Sequence, residues 1–250
     1  HGTIPLSHEA DFVQSFLSGR TKVVAAAAIL GAAILAGTGT GDDMQTTNIE
    51  PSEDFHRIYV DGPATLDIRQ GESVHVELAV AEGHQDSVDV EVSDATLFVE
   101  VPKELDVEDV VVRVTTRQLT ELYSAGPILV TGGKLHTDTL VVENRGSGDY
   151  RLASLDADEL IIEARGAFHF EVDGRAGRQV VEMAGAGAYE AAGLETRTAE
   201  VRLKGAGSAR VWATERLDVD IAGAGSVAYT GNPDVHRRIR GFGTVQKIDQ

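Results

Sequence analysis

Seven glycines recur every 18 to 20 residues through the second half of the chain, and this period constrains the fold more than any other feature. They are Gly126, Gly146, Gly166, Gly185, Gly205, Gly223 and Gly241. A second glycine follows five of them after one residue, at Gly148, Gly187, Gly207, Gly225 and Gly243. Such a repeat indicates one structural unit used many times. We interpret the glycines from Gly146 onward as bends, where the backbone needs a positive φ or has no room for a Cβ atom.

Apolar and polar residues alternate around each glycine, which is typical of β-strands. Counted from the first glycine of each unit from Gly146 onward, positions −4, −2 and +4 are mostly apolar and position −3 is charged. Units of this length cannot bury an apolar face alone, but they can do so by stacking about 4.8 Å apart. The repeat therefore predicts an all-β chain that coils as a parallel β-helix. The usual hand of parallel crossovers favours right-handed coiling, and position +10 lacks the aliphatic residues of a left-handed coil.

The segment 55–117 shows the same alternation without the glycine period. We predict a β-rich section there, ahead of the repeat coils of 118–250, so that the β-helix domain spans 55–250. Residues 42–54 are interpreted as a linker. Turn residues separate six expected strands, at Phe55–Val60, Ala64–Arg69, Ser73–Ala79, Ser87–Ser93, Ala95–Val101 and Val110–Thr115.

An uncharged apolar stretch, Val23–Ala36, follows Arg20 and Lys22. It is short for a membrane-spanning helix, which needs about 20 residues, but suits the core of a signal peptide. We predict an extension at 1–22, a signal-peptide core and cleavage region at 23–41, and export of the remaining chain. A buried alanine-rich helix and an uncleaved membrane anchor are the alternatives. We expect no other membrane contact.

The charge of the chain excludes some partners. Its formal net charge is −18, and residues 1–41 contribute none of it because two acidic and two basic residues cancel there. An acidic body argues against binding of nucleic acid, which needs a basic face. The absence of Cys excludes disulfides, thiolate metal sites and a cysteine nucleophile.

An ordered series of motifs carries a family resemblance over residues 55–248. The motifs are FHRIYVDGPATL at 55–66, IRQG at 68–71, ATL at 95–97, residues 119–126, the Gly-Ala-Gly units, GSVAYTGNP at 225–233 and GFGTV at 241–245. In their order and repetition they resemble the bacterial family called the putative auto-transporter adhesin head GIN domain. The resemblance implies a β-helical protein of the cell envelope, periplasm or exterior, and it brings no catalytic residues.

One outward column of charges is the candidate interaction face. Glutamates occupy position −3 in three adjacent units, and arginines occupy position −1 in two of them. Neighbouring like charges on a sheet cost energy, so the column indicates either structural pairing with the arginines or a binding role. The candidate residues are Glu143, Arg145, Glu163, Arg165, Glu182 and Arg202.

No cofactor or metal site is expected. The Gly-x-Gly-x-x-Ala match at 223–228 leads into a further strand and not into the helix that nucleotide binding needs. None of the eight histidines has metal-ligand spacing. The acidic stretches 104–109 and 156–159 could hold Ca²⁺ weakly, but a solvated surface is favoured.

These observations predict an exported binding or adhesion module, not an enzyme, with an unidentified protein or glycan partner. The alternative is a carbohydrate-active enzyme, a polysaccharide lyase or hydrolase, on the same scaffold. Uniform units without a long insertion favour binding, because catalytic clefts need loops as walls. The sequence does not decide the oligomeric state.

Overall fold

The computed structural model describes residues 44–249, and within them the protein is all-β, as predicted. Strands make up 81% of these residues and form one mixed sheet that does not close. A short 3₁₀ turn at Gln85–Ser87 is present, and no α-helix occurs within this range. The predicted extension and signal peptide, at 1–22 and 23–41, lie outside the described residues.

Nine strands follow one another along the chain. They are β1 (Met44–Ile49), β2 (Arg57–Asp61), β3 (Ala64–Gln70), β4 (His75–Ala81), β5 (Asp89–Ser93), β6 (Thr96–Glu100), β7 (Val110–Thr116), β8 (Glu121–Thr230) and β9 (Asp234–Lys247). The six strands predicted before residue 118 correspond to β2–β7, with ends that differ by at most two residues.

Strand β1 lies inside the segment 42–54 that the sequence assigns to a linker. It pairs antiparallel with β4, from Met44 opposite Ala81 to Ile49 opposite Val76. Its sequence, MQTTNI, has little apolar alternation, and all six residues are exposed or half-buried. Backbone pairing with the edge of β4, which hydropathy does not report, holds this strand in place.

The sheet is parallel in its interior and antiparallel at its amino-terminal end. The strand order is β1-β4-β7-β3-β8-β2-β6-β5, with β9 on β8. Strands β2 and β3 pair in parallel with β8 on one side and with β6 and β7 on the other. The pairs β4–β7, β5–β6 and β1–β4 are antiparallel.

The long element β8 returns repeatedly on itself. Its 110 residues would extend about 360 Å if straight, but successive first glycines lie directly against one another. A Cβ atom on Gly205 would lie 2.4 Å from the carbonyl oxygen of Gly185, and one on Gly223 would lie 2.3 Å from that of Gly205. At the end of β8 the offset is 18 residues, since Arg216 pairs with Asp234.

The first and second glycines of the units serve different ends. All seven first glycines and Gly62 have a positive φ, which lies between +108° and +150°. We call these eight residues the bend glycines. The second glycines lack positive φ and lie where a Cβ atom would be in tight contact with a neighbour or would collide with it. A Cβ atom on Gly187, for example, would lie 2.2 Å from the carbonyl oxygen of Phe168.

The core fills the space inside the stacked units. Positions −4, −2 and +4 relative to the bend glycines point inward, and Tyr150 and Phe170 stack there with ring centroids 4.2 Å apart. The interior also holds polar groups that bond to one another, since the Tyr150 hydroxyl contacts Ser124 and donates to Oδ1 of Asn144 at 3.2 Å. Nδ2 of Asn144 is buried and has no hydrogen-bond partner among the described residues. In the last unit Ile239 is exposed, so the core ends there.

The stacking makes a sharp prediction for glycine substitutions. Gly205→Ala combines positive φ with a backbone collision, and we expect it to lower the free energy of unfolding by about 2–4 kcal/mol. Gly133→Ala is the matched control, because nothing lies within 4 Å of its Cβ position, and its effect should stay within about 0.5 kcal/mol. Urea unfolding measures both, and equal losses would contradict a role for the bend.

Candidate interaction face

Residues three positions before the bend glycines form a single outward column. The pairing register places Tyr59 beside Tyr123 and Asp220 beside Arg238, and the stacked glycines align the units between them. Because the side chains of a strand alternate between faces, this column points away from the core. We call it the charged column: Tyr59, Tyr123, Glu143, Glu163, Glu182, Arg202, Asp220 and Arg238.

The three predicted glutamates lie together at the centre of the charged column. Partial burial raises the pKa of Glu163 above its usual value, and the neighbouring carboxylates of Glu143 and Glu182 raise it further. Arg165 and Arg145 oppose this shift. The Glu163 carboxylate is thus held in an unfavourable position, with its side chain only 19% exposed.

Cations from position −1 partly neutralise the carboxylates. Arg145 contacts Glu143 at 2.7 Å, and Arg165 approaches Glu163 at 3.8 Å. Glu182 pairs with Lys204 of the following unit. The structure therefore gives each of the three glutamates a basic neighbour.

Arg202 forms its ion pair with a residue outside the predicted face, unlike Arg145 and Arg165. It contacts Glu200 on its own strand, while Glu200 also binds Arg178 at 3.1 Å. Arg178 in turn binds Glu159 at 2.7 Å. Arg202 thus belongs to a neighbouring ion-pair network and not to the partners of Glu182.

Three aromatic residues at the amino-terminal end of the charged column were missed by sequence reasoning. Tyr59 and Tyr123 stack with ring centroids 4.7 Å apart and planes 4° apart, and Phe98 lies 5.6 Å beyond Tyr59. Arg145 lies 5.5 Å from the centre of the Tyr123 ring, which suits a cation–π contact. The signal was present, because Tyr59 and Tyr123 lie three residues before Gly62 and Gly126.

The charged column does not line either of two surface depressions. Depressions of about 440 and 430 Å³ lie elsewhere, one beside Ser208, Arg210 and Gln246, and the other beside Gln70 and Arg117. Within residues 44–249, no three His, Asp or Glu side chains converge as metal ligands. In the acidic stretch 156–159, Asp156 accepts two hydrogen bonds from Arg175, at 2.9 and 2.7 Å.

A family model matches most of the chain. The model of the family described as "Putative auto-transporter adhesin, head GIN domain" matches residues 54–233. The chain belongs to this family. The resemblance inferred from the motifs is thereby confirmed, and the match covers β2–β8 and the charged column as far as Asp220.

Solved structures share the fold of this GIN domain. A putative adhesin from Bacteroides fragilis has a TM-score of 0.75 and 23% identity, covering 83% of this chain and 98% of its own. A putative lipid binding protein from Parabacteroides distasonis has a TM-score of 0.62 and 22% identity, covering 84% and 98%. A putative adhesin from Parabacteroides merdae has a TM-score of 0.59 and 21% identity, with the same coverage. At these identities the likeness is one of fold.

No curated protein matches the GIN domain. In the part of the chain that the structure describes, no helix has the length and apolar character to cross a membrane.

The charged column makes a pH-dependent prediction. A carboxyl group whose pKa is higher in the folded state than in the unfolded state costs stability when ionised, and this cost is absent below the unfolded-state pKa. Glu163→Gln should therefore raise the free energy of unfolding at pH 7 by roughly 0.2–1 kcal/mol. The gain should vanish near pH 4 and below, as measured by urea unfolding at both pH values.

Asp218→Asn is the control of opposite sign. Hydrogen bonds from Arg216, at 2.6 and 2.9 Å, hold the pKa of Asp218 below its usual value. Its ionised form therefore contributes stability at neutral pH that is lost as the pH falls through the folded-state pKa. Asp218→Asn should lower the free energy of unfolding at pH 7. If Glu163→Gln also lowers it, the stack of glutamates stabilises the fold and the prediction for Glu163 is wrong.

Proposed function

We propose that this GIN domain is an exported, non-catalytic binding module of the bacterial envelope, periplasm or exterior, with the charged column as its contact surface. The partner is a protein or a glycan, not nucleic acid. The observation that carries the proposal is the central stack of Glu143, Glu163 and Glu182, which raises the pKa of Glu163. A surface that keeps like charges together at a cost is better explained by what it binds than by stability.

We propose that the stacked strands of the observed sheet form a β-helix. Residues 121–247 would coil as a parallel, right-handed β-helix with one coil of 18–20 residues per bend glycine. The 18-residue offset between β8 and β9 and the contacts between successive bend glycines support this coil size. The usual hand of parallel crossovers supports the hand. Such a scaffold presents a long, flat face, which suits adhesion.

The chemistry of the column suits a carbohydrate. The stacked rings of Tyr59 and Tyr123 give an aromatic surface, of which Tyr123 is the half-buried and accessible part. Arg145 and Glu143 beside it offer fixed donors and acceptors for hydroxyl groups. The family description and two of the similar structures name adhesins, which agrees with a binding role.

A glycan array with the purified protein tests the binding role. Tyr123→Ala should weaken binding to the glycans identified by about tenfold, because aromatic anchors dominate such contacts. Arg175→Gln is the matched control, since Arg175 is 75% exposed and pairs with Asp156 away from the column, and it should leave binding unchanged. Equal losses in the two variants would contradict the assignment of the surface, and an empty array would leave a protein as the partner.

The alternative is a polysaccharide lyase or hydrolase, for which the raised pKa of Glu163 beside Glu143 would supply an acid and a base. Incubation with anionic and neutral polysaccharides distinguishes the two functions. We expect no release of reducing ends or unsaturated products. Release that is lost in Glu163→Gln would establish the enzyme and overturn the binding module.

Export makes a separate prediction. If 23–41 is a signal peptide, the mature protein from the native host should lack Val23–Ala36. Mass spectrometry of the intact protein from envelope, medium and cytosol fractions measures this. An intact chain recovered from the cytosol would overturn export but not the binding surface.

A further inference from the structure

Strand β9 ends the ladder with one edge unpaired among the described residues. It pairs in parallel with β8 from Asp234 to Lys247, and no other strand of residues 44–249 joins it. Alternate backbone N–H and C=O groups of such a strand point to its unpaired side, where they are ready to bind another strand. This edge is 14 residues long.

The last unit replaces apolar residues by cations. Position −4, which is buried at Val181, Val201 and Val219 in the preceding units, is occupied by the exposed Arg237. Arg238 and Arg240 follow, with side chains 74% and 63% exposed. Both lie near one carboxylate, Asp220, at 4.0 and 3.0 Å, so the end of an acidic protein carries an excess of positive charge.

A large aromatic residue is exposed at the same end. The residue after the bend glycine is small in the five preceding units, at Ser147, Ala167, Ala186, Ala206 and Ala224. In the last unit it is Phe242, which is 90% exposed, and Ile239 nearby is 38% exposed. An exposed aromatic beside arginines is the composition of an interface anchor.

We infer that the free edge of β9 binds an acidic, extended segment of a partner protein, which adds to the sheet as a further strand. The backbone edge supplies hydrogen bonds, Phe242 supplies an apolar anchor, and Arg237, Arg238 and Arg240 select carboxylates. Inward-pointing charges on an edge strand hinder pairing with apolar strands. A carboxylate opposite Arg237 removes that obstacle, so the same residue selects for the acidic partner.

The proposed occupant is not a second copy paired edge to edge. Pairing of two β9 edges would place two strands of net positive charge side by side, and like charges oppose such pairing. Strand β9 lies beyond residues 54–233, which the family model matches. The inference does not rest on the proposed function of the charged column. The two surfaces share Arg238, and Tyr123→Ala and Phe242→Ala, which each lie on one surface alone, test them separately.

Peptide binding to the full chain tests the inference. The probe is a fluorescent 14-residue peptide in which Glu and Val alternate around a central Gly-Ala-Gly, and its control carries Gln in place of every Glu. We expect the Glu peptide to bind at least about tenfold more tightly than the Gln peptide at low salt. The preference should weaken as salt is added, and hydrogen exchange of the β9 amides should slow when the Glu peptide binds.

Variants locate the site. Phe242→Ala should weaken binding of the Glu peptide about tenfold, and Arg238→Gln should weaken it about threefold to tenfold. Arg69→Gln is the control, because Arg69 is 70% exposed and pairs with Asp67 on β3, and it should change nothing. The thermal unfolding of all three variants should match that of the parent, since their side chains are exposed.

Four results would overturn the inference. They are equal affinity for the two peptides, no binding of either peptide, binding that is unchanged in Phe242→Ala, and self-association of the chain that is lost in Phe242→Ala. The last result, measured by sedimentation, would show that the edge serves contacts between copies. The charged-column variants Tyr123→Ala and Glu163→Gln should leave peptide binding unchanged, which separates this test from that of the proposed function.

Discussion

Contact between the backbones of successive bend glycines is the constraint on which the rest of the structure depends. Gly205 lies against Gly185, and Gly223 lies against Gly205, too closely for any Cβ atom between them. Positive φ at the same residues turns the chain at the same point in each unit. Residues near a bend glycine therefore lie beside the residues at the same offset in the neighbouring units, and this part of the fold is a set of columns.

The columns turn a one-dimensional sequence pattern into surfaces with distinct chemistry. Inward columns need apolar groups or polar groups that bond to one another, as Tyr150 does with Ser124 and Asn144. Outward columns bring like charges together whenever the same residue type recurs, and burial strengthens their repulsion. The glutamates at the centre of the charged column show this cost in the raised pKa of Glu163, and the cations around them reduce it without removing it.

The two ends of the ladder are completed in different ways. At the amino-terminal end, antiparallel strands β4, β5 and β1 cover the parallel strands. At the other end β9 has no covering strand among residues 44–249, and charge takes the place of apolar side chains. Exposed sheet edges are a hazard that proteins manage either by covering or by charge, and this chain uses both. The charged end differs from a simple cap because Phe242 is exposed in it.

The sequence by itself determined the all-β fold, the positions of β2–β7 and the outward direction of the glutamates, because alternation and glycine spacing act locally along the chain. Tertiary structure decided the rest. β1 forms by backbone pairing that leaves no apolar pattern, and Tyr59 and Tyr123 meet only because the chain returns to the same column 64 positions later. Glu182 pairs with Lys204 while Arg202 pairs with Glu200. Residue order does not specify such pairs, because long side chains can reach along a strand or across to the next unit, and only the packed columns decide which contact forms.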